Sequence, residues 1–224
     1  MISSERLLQI AFWARDLSPA EVERAARGVT EKTWEAGAYI IHRGDKLDAW
    51  SGVVSGLLKM STGSISGKAV TLAGLPTGAW FGEGSLIKNE ARMYDIVALR
   101  DSRIASMNRA TFVWLYENSV AFNRFLVRQF NERLGQFIAL VEHDRILDAT
   151  ARVARSIAWL FNPVLNPLAG SSLKISQEEL GLLAGVSRQA TNRALKDLEG
   201  EGLIAQSNDG VAPRDLAALS RYGE

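Results

Sequence analysis

Hydrophobic and polar residues follow one another along this 224-residue chain in three textures, and each predicts a different kind of element. From Gly37 to Gly84, short apolar runs such as "AYIIH", "GVVSGLLKM" and "AVTLAGL" are separated by glycines, ten of the chain's 19 falling in this stretch. Short strands bounded by turns at that spacing predict a β-sandwich or barrel. A further strand pair follows in "YDIVALRDSRIASM", with Ile96, Ala98 and Ile104 marking the buried side. From Arg109 to Phe161 glycine almost vanishes. There Leu126, Phe130, Leu134, Phe137 and Val141 recur at steps of four, four, three and four, the pattern of one apolar stripe on a long helix. The Pro/Gly/Ser-rich "NPVLNPLAGSS", residues 162–172, closes this section as a loop.

The third texture begins with "SQEELGLLAGVSRQATNRALKDLEGEGLI". Ser176 and Glu179 have the three-residue spacing of a capping box, in which each side chain satisfies an orphan backbone donor, so a helix starts at Ser176. Leu180, Leu183 and Ala184 form its apolar face, Gly185 supplies the tight reversal, and Ser187 caps a second helix. On that second helix Ala190, Thr191, Ala194, Leu195 and Leu198 point inward, while Arg188, Gln189, Asn192, Arg193 and Lys196 share the other face. Two short helices about a glycine turn, the second opening with long donor side chains, are how a helix-turn-helix enters a major groove. Arginine donates two bonds to guanine, and glutamine or asparagine pairs with adenine. "GLIAQSNDGVAP" then reads as a strand, an Asn-Asp-Gly turn and a second strand, a β-wing.

Charge changes this picture little. The chain carries 26 basic and 25 acidic residues, a net +1, so a nucleic-acid partner has to be met by a local patch. Residues 149–224 are neutral by count, eight basic and eight acidic, and a polar helix face in such a segment also reads as plain solvated surface. Placement separates the readings. Glu178, Glu179, Asp197, Glu199 and Glu201 lie on the first helix or beyond the opening turns of the second, leaving the donor face free of carboxylates.

Composition excludes several classes of chemistry. There is no cysteine, hence no disulfide, thiolate zinc site or cysteine nucleophile. No basic, apolar leader and no run of about eighteen apolar residues is present, so a cytoplasmic protein without membrane contact is expected. His42 and His143 are widely separated and make a poor metal site, and tryptophans at 13, 34, 50, 80, 114 and 159 suit core filling better than base stacking. No catalytic constellation stands out. Neither enzyme activity, nor a cofactor, nor a metal is expected.

At the residues "KISQEELGLLAGVSRQATNRALKDLEGEGLI" the chain resembles the winged helix-turn-helix of the cyclic-AMP receptor and Fnr family of bacterial transcription regulators. The upstream order of glycine-rich strands, long helix and loop matches as well. The resemblance implies an α+β fold in three parts: an N-terminal cyclic-nucleotide-binding-like β-roll (jelly roll) at 1–114, a long dimerisation helix and hinge at 115–148, and a DNA-binding winged helix at 149–224. It implies a homodimer on an inverted-repeat DNA operator, with RNA polymerase as a further partner. Arg188 and Arg193 fall at the family's base-reading arginines, whereas Gln189 replaces a common glutamate, so the half-site is expected to differ there. Ser176, Ser187, Asn192 and Lys196 are assigned to the DNA backbone.

The family's effector motif is recognisable in "FGEGSLIKNEARM", and the resemblance carries effector contacts onto Gly82, Glu83, Ser85, Leu86 and Arg92, with Met93 where a hydroxyl residue is usual. Exposed amides with one guanidinium suit an anion, but Glu83 and Arg92 pairing with each other inside a hairpin is the competing reading. Counting back from Asp148 in "RILDATARVARSIAWL", the hydroxyls that hold adenine in cyclic-AMP receptors fall at Phe137 and Ile138. An effector other than cyclic AMP is therefore expected, of unknown identity. A ligand-binding module whose degenerate helix-turn-helix serves protein contacts is the alternative function.

Overall fold

The computed structural model describes residues 1–46, 48–63, 69–207 and 210–223, with the side chains of 69 and 142–145 excluded. Among the described residues eight strands form two antiparallel sheets: β1 (Val29–Trp34), β2 (Tyr39–Ile41), β3 (Ala49–Ser55), β4 (Leu57–Gly63), β5 (Ala69–Pro76), β6 (Trp80–Phe81), β7 (Asp95–Ala98) and β8 (Ser102–Asn108). Their spatial orders, β1-β8-β3-β6 and β2-β7-β4-β5, are those of a jelly roll. Ile96, Ala98 and Ile104 lie in the core between the sheets with Leu58, Leu75 and Phe81, as their spacing predicts.

Two N-terminal helices, α1 (Ser4–Ile10) and α2 (Pro19–Arg27), with a 3₁₀ turn between them at Phe12–Asp16, close one end of the roll. They were not anticipated because each is too short to show a clear period, although Ser18 and Glu21 form a capping box ahead of α2. Trp13 of that turn enters an aromatic cluster with Trp50, Trp80 and Phe122, ring centroids 5.1–5.5 Å from its own. Edge and tilted contacts of this kind add to the area these rings bury. Between β6 and β7 lies the short α3 (Glu83–Lys88).

Helix α4 (Arg109–Asn118) ends at Ser119, and α5 (Val120–Ile146) runs on for 27 residues, about 40 Å at 1.5 Å per residue. Its first turns are fastened to the roll by Phe122 and Leu126. The winged helix follows: α6 (Ala149–Leu160), α7 (Gln177–Ala184), α8 (Arg188–Gly200), β9 (Ile204–Ser207), β10 (Gly210–Pro213) and α9 (Leu216–Ser220). Strand β9 pairs antiparallel with β10, and Leu173 bridges to Val211 as a third partner. The wing's turn at Asn208 and Asp209 lies outside the described residues. Leu57 of β4 joins the core of this second unit, and at Gly74 of β5 a Cβ would stand 2.5 Å from Leu160 and 3.4 Å from Leu183. The two units therefore share packed surface.

Candidate nucleic-acid interface and effector site

Helix α7 opens as its sequence predicts. Ser176 Oγ accepts from the Glu179 amide at 3.1 Å, and Glu179 Oε2 accepts from the Ser176 amide at 2.7 Å. Gly185 ends the helix at φ +65°, in the left-handed region where a side chain is strained. From α6, Arg152 donates to the Ala184 and Gly185 carbonyls at 2.9 and 3.1 Å, a cation on the negative end of the helix. A Cβ on Gly181 would meet Thr191 Oγ1 at 2.7 Å and the Val186 carbonyl at 2.9 Å. Glycine there lets α7 and α8 touch backbone to side chain, and the motif's angle follows.

Ser187 caps α8 by accepting from the Ala190 amide at 3.2 Å. Thr191, Ala194, Leu195 and Leu198 are buried beneath the helix. Arg188, Gln189, Arg193 and Lys196 are exposed on one face, and the caps Ser176 and Ser187 are exposed beside it. Asn192 is half-buried and donates to Gln177 Oε1 at 3.1 Å, so its amide is held to the first helix of the motif. The acids lie elsewhere: Glu199 accepts from the Gln206 backbone and side chain, and Glu201 accepts from the Tyr222 hydroxyl at 2.7 Å. That bond pushes the Tyr222 phenol up to about 12. Among the described residues no carboxylate pairs with Arg188, Arg193 or Lys196, and α8 presents a row of donors, the chemistry that meets base edges and phosphates.

On α5 the stripe expected from sequence needs one correction. Leu126 is 2% exposed and belongs to the core under the roll, whereas its neighbour Val127 is 65% exposed. Phe130, Leu134, Phe137 and Val141 are exposed as expected. With Val127 in place of Leu126 the steps become three, four, three and four, the regular a/d spacing of a helix seam.

The effector motif is built around Gly82, whose φ of +99° no other residue adopts easily. A Cβ there would stand 2.3 Å from Arg92 Nη1. Arg92 is 1% exposed and donates to the Gly82 carbonyl and the Ala49 carbonyl, both at 2.7 Å. Glu83, also buried, accepts from Trp50 Nε1 at 3.3 Å and lies 3.6 Å from Arg133 Nε on α5. The competing reading, a Glu83–Arg92 pair, is thus overturned: each residue has other partners, because α5 brings a second guanidinium to the carboxylate. The Tyr94 phenol is pushed up by burial and by the Glu83 charge, with Arg92 and Arg133 opposing. Ser85 is half-buried in α3. Leu86 is a core residue beneath α3, and Met93 stands 64% exposed.

Sequence reasoning missed Arg133, Trp50 and Tyr94. A signal existed for the first. Gln129, Arg133 and Gln136 recur at steps of four and three on α5, a polar row facing inward. Gln129 Nε2 and Arg133 Nη2 both donate to the Trp80 carbonyl, at 2.8 and 2.5 Å. Beside Arg133 lies a cavity of about 60 Å³ between β5, α5, α6 and α7. Of the two histidines, His42 stacks on Tyr39, 4.7 Å between ring centroids, and the side chain of His143 lies outside the described residues.

Comparison with known proteins agrees with this architecture at both ends. A cyclic nucleotide-binding domain family matches residues 31–119, and a Crp-like helix-turn-helix domain family matches residues 151–222. The chain is 29% identical to the cyclic AMP receptor protein of Thermus thermophilus over 203 residues, 91% of this chain and 92% of that one. It is 26% identical to the cAMP-activated global transcriptional regulator Vfr of Pseudomonas aeruginosa, over 77% of this chain and 84% of that one. The solved structure of the Thermus thermophilus catabolite activator protein superposes with a TM-score of 0.51 at 26% identity, covering 91% of this chain and 95% of that one. With a jelly roll, a long helix and a winged helix-turn-helix in this order, the chain belongs to the Crp/Fnr family of transcription regulators.

Proposed function

We propose that the protein is a homodimeric transcription regulator that binds an inverted-repeat DNA operator and is modulated through its β-roll by an effector other than cyclic AMP. The observation that carries DNA binding is the carboxylate-free donor row Arg188, Gln189, Arg193 and Lys196, presented by a helix whose angle Gly181, Gly185 and Arg152 fix. Arg188, Gln189 and Arg193 are placed to read bases, and Lys196 with the exposed caps Ser176 and Ser187 to position the backbone. Asn192 is retained for the backbone only by exchanging its bond to Gln177.

The dimer rests on the exposed stripe from Val127 to Val141. Two parallel α5 helices joined there would set the two recognition helices about one DNA turn, roughly 34 Å, apart. RNA polymerase is the expected further partner, and the cytoplasm the expected compartment. The division at 1–114, 115–148 and 149–224 is proposed with it.

The relatives' names speak of cyclic AMP, but the site here favours another ligand. Arg92 spends its terminal nitrogens on backbone carbonyls. Phe137 and Ile138 offer no hydroxyl to a base. Electrophoretic mobility shift with genomic fragments tests the DNA-binding reading. Retarded fragments sharing an inverted repeat support it, and uniform weak retardation of every fragment contradicts it.

A further inference from the structure

The winged helix hangs from α5 by a short joint. Helix α5 ends at Ile146, and Asp148 already caps α6 by accepting from the Ala151 amide at 2.8 Å, so Leu147 alone separates helix from cap. The backbone dihedrals of these two residues would let the unit pivot. Three contacts on different elements oppose that. On the β7–β8 turn, Arg100 grips Glu179 of α7 through both terminal nitrogens, at 2.7 and 2.6 Å. On α5 itself, Glu132 Oε1 accepts from Asn162 Nδ2, just beyond α6, at 2.6 Å. On β5, Gly74 has no left-handed backbone that would require glycine, yet a Cβ there would stand 2.5 Å from Leu160 and 3.4 Å from Leu183. A glycine inside a strand marks a close approach, and here it is the DNA-binding unit that approaches. Leu57 and Leu99 of the roll complete the seat by packing into that unit's core.

Such a seat matters for a dimer on DNA because the duplex is a screw. Moving one half-site by one base pair shifts it about 3.4 Å and turns it about 35°. A winged helix held by its joint alone could follow that change at little cost. A seated one must break the Arg100–Glu179 pair and unpack Leu160 and Leu183. We infer that the seat sets the spacing between half-sites: Gly74, Arg100 and the Glu132–Asn162 bond hold each winged helix at one orientation to α5, so the dimer discriminates among inverted repeats by spacer length. Arg100 is then a positioning residue and not a DNA contact, since its guanidinium is committed to Glu179 and the Leu99 carbonyl. The donor row on α8 stays exposed in the seated arrangement, so the seat orients the reading face without covering it. The inference rests on the reading of the protein as a dimeric DNA-binding regulator.

The test uses the full-length protein and fluorescence anisotropy on inverted repeats whose spacer is the preferred length, one base pair shorter or one longer. The wild type is expected to lose about tenfold or more in affinity when the spacer changes by one base pair, and Arg100→Ala and Gly74→Val less than about threefold. A merely destabilised protein loses affinity on every spacer alike, so the ratio between spacers reports the seat and not stability. Valine suits a strand, and thermal melts show whether each variant is folded; Arg100→Ala carries the test if Gly74→Val is not. The same spacer ratio in the variants as in the wild type overturns the inference. So does a wild type that tolerates either change with less than about threefold loss. A second arm needs no DNA. The chain has no cysteine, so Ala217→Cys, at an exposed position of α9, takes a single nitroxide, and double electron–electron resonance reads the distance between the two labels of a dimer. One narrow distance that broadens in Arg100→Ala and Gly74→Val supports the seat, and a distance that does not broaden, or none at all, overturns it. A wild type that prefers no inverted repeat over random DNA contradicts the regulator reading, while the resonance result still decides whether the seat holds the winged helix.

Discussion

Arg100 and Glu179 join the two units of the molecule by a two-pronged ion pair, Nη1 to Oε1 at 2.7 Å and Nη2 to Oε2 at 2.6 Å. Arg100 lies in the turn between β7 and β8, and Glu179 is also the capping residue of α7. One carboxylate therefore secures both the start of the DNA-binding motif and its seat on the β-roll. Burial pulls the Glu179 pKa up, but the bonds from Arg100 and Ser176 outweigh it and hold the carboxyl below its ordinary 4.5.

The sign of the pH dependence follows. A carboxyl depressed in the folded state stabilises it fully above the unfolded pKa and loses that contribution as pH falls through the folded pKa. Arg100→Ala should cost about 1–3 kcal/mol at pH 7, as for a hydrogen bond to a charged group. The gap between variant and wild type should close as pH drops below about 4.5. Urea titrations at pH 7, 4.5 and 3 check this, and a gap that does not shrink between pH 7 and pH 3 would speak against the pair.

Leu126 and Val127 should separate folding from assembly. Leu126→Ala removes a buried side chain and should destabilise by about 2–5 kcal/mol without splitting the dimer. Val127→Glu or Leu134→Glu should split it with little loss of monomer stability. Sedimentation velocity at micromolar concentration, paired with thermal melts, distinguishes the two outcomes.

Most of the fold was legible because its signals are local. The glycine-punctuated strands, the capping box at Ser176 and the turn at Gly185 are set by a few neighbouring residues each. The error at Leu126 has a physical cause: one helix carries two apolar rows, and a sequence does not say which faces its own β-roll. The partners of Glu83 were illegible for a different reason, since Arg133 lies 50 positions away and only the packing of α5 brings it there. Leu86 and Met93 were assigned through the resemblance, which transfers a position but not the direction of a side chain.

On α8, Arg188→Ala or Arg193→Ala should cost about 1–3 kcal/mol in operator binding and relax preference at one base pair, whereas Lys196→Ala should weaken all sequences alike. Fluorescence anisotropy against an operator and single-base variants reads this. Unchanged preference in both arginine variants would remove them from the base-reading set.

Calorimetry with cyclic AMP and cyclic GMP addresses the effector. Neither should bind with micromolar affinity, because Arg92 would have to give up both carbonyl partners and Phe137 and Ile138 offer no hydroxyl to a base. Micromolar binding that tightens the grip on DNA would mean that the pocket reopens for a nucleotide.

Selection of bound DNA from a random pool by the full-length protein tests the central claim most directly. Enrichment of an inverted repeat, with half-site centres about one helical turn apart and information concentrated at the positions that Arg188, Gln189 and Arg193 reach, is the predicted result. A pool that returns no shared motif, or a single unpaired half-site, would contradict a dimer that reads DNA through α8.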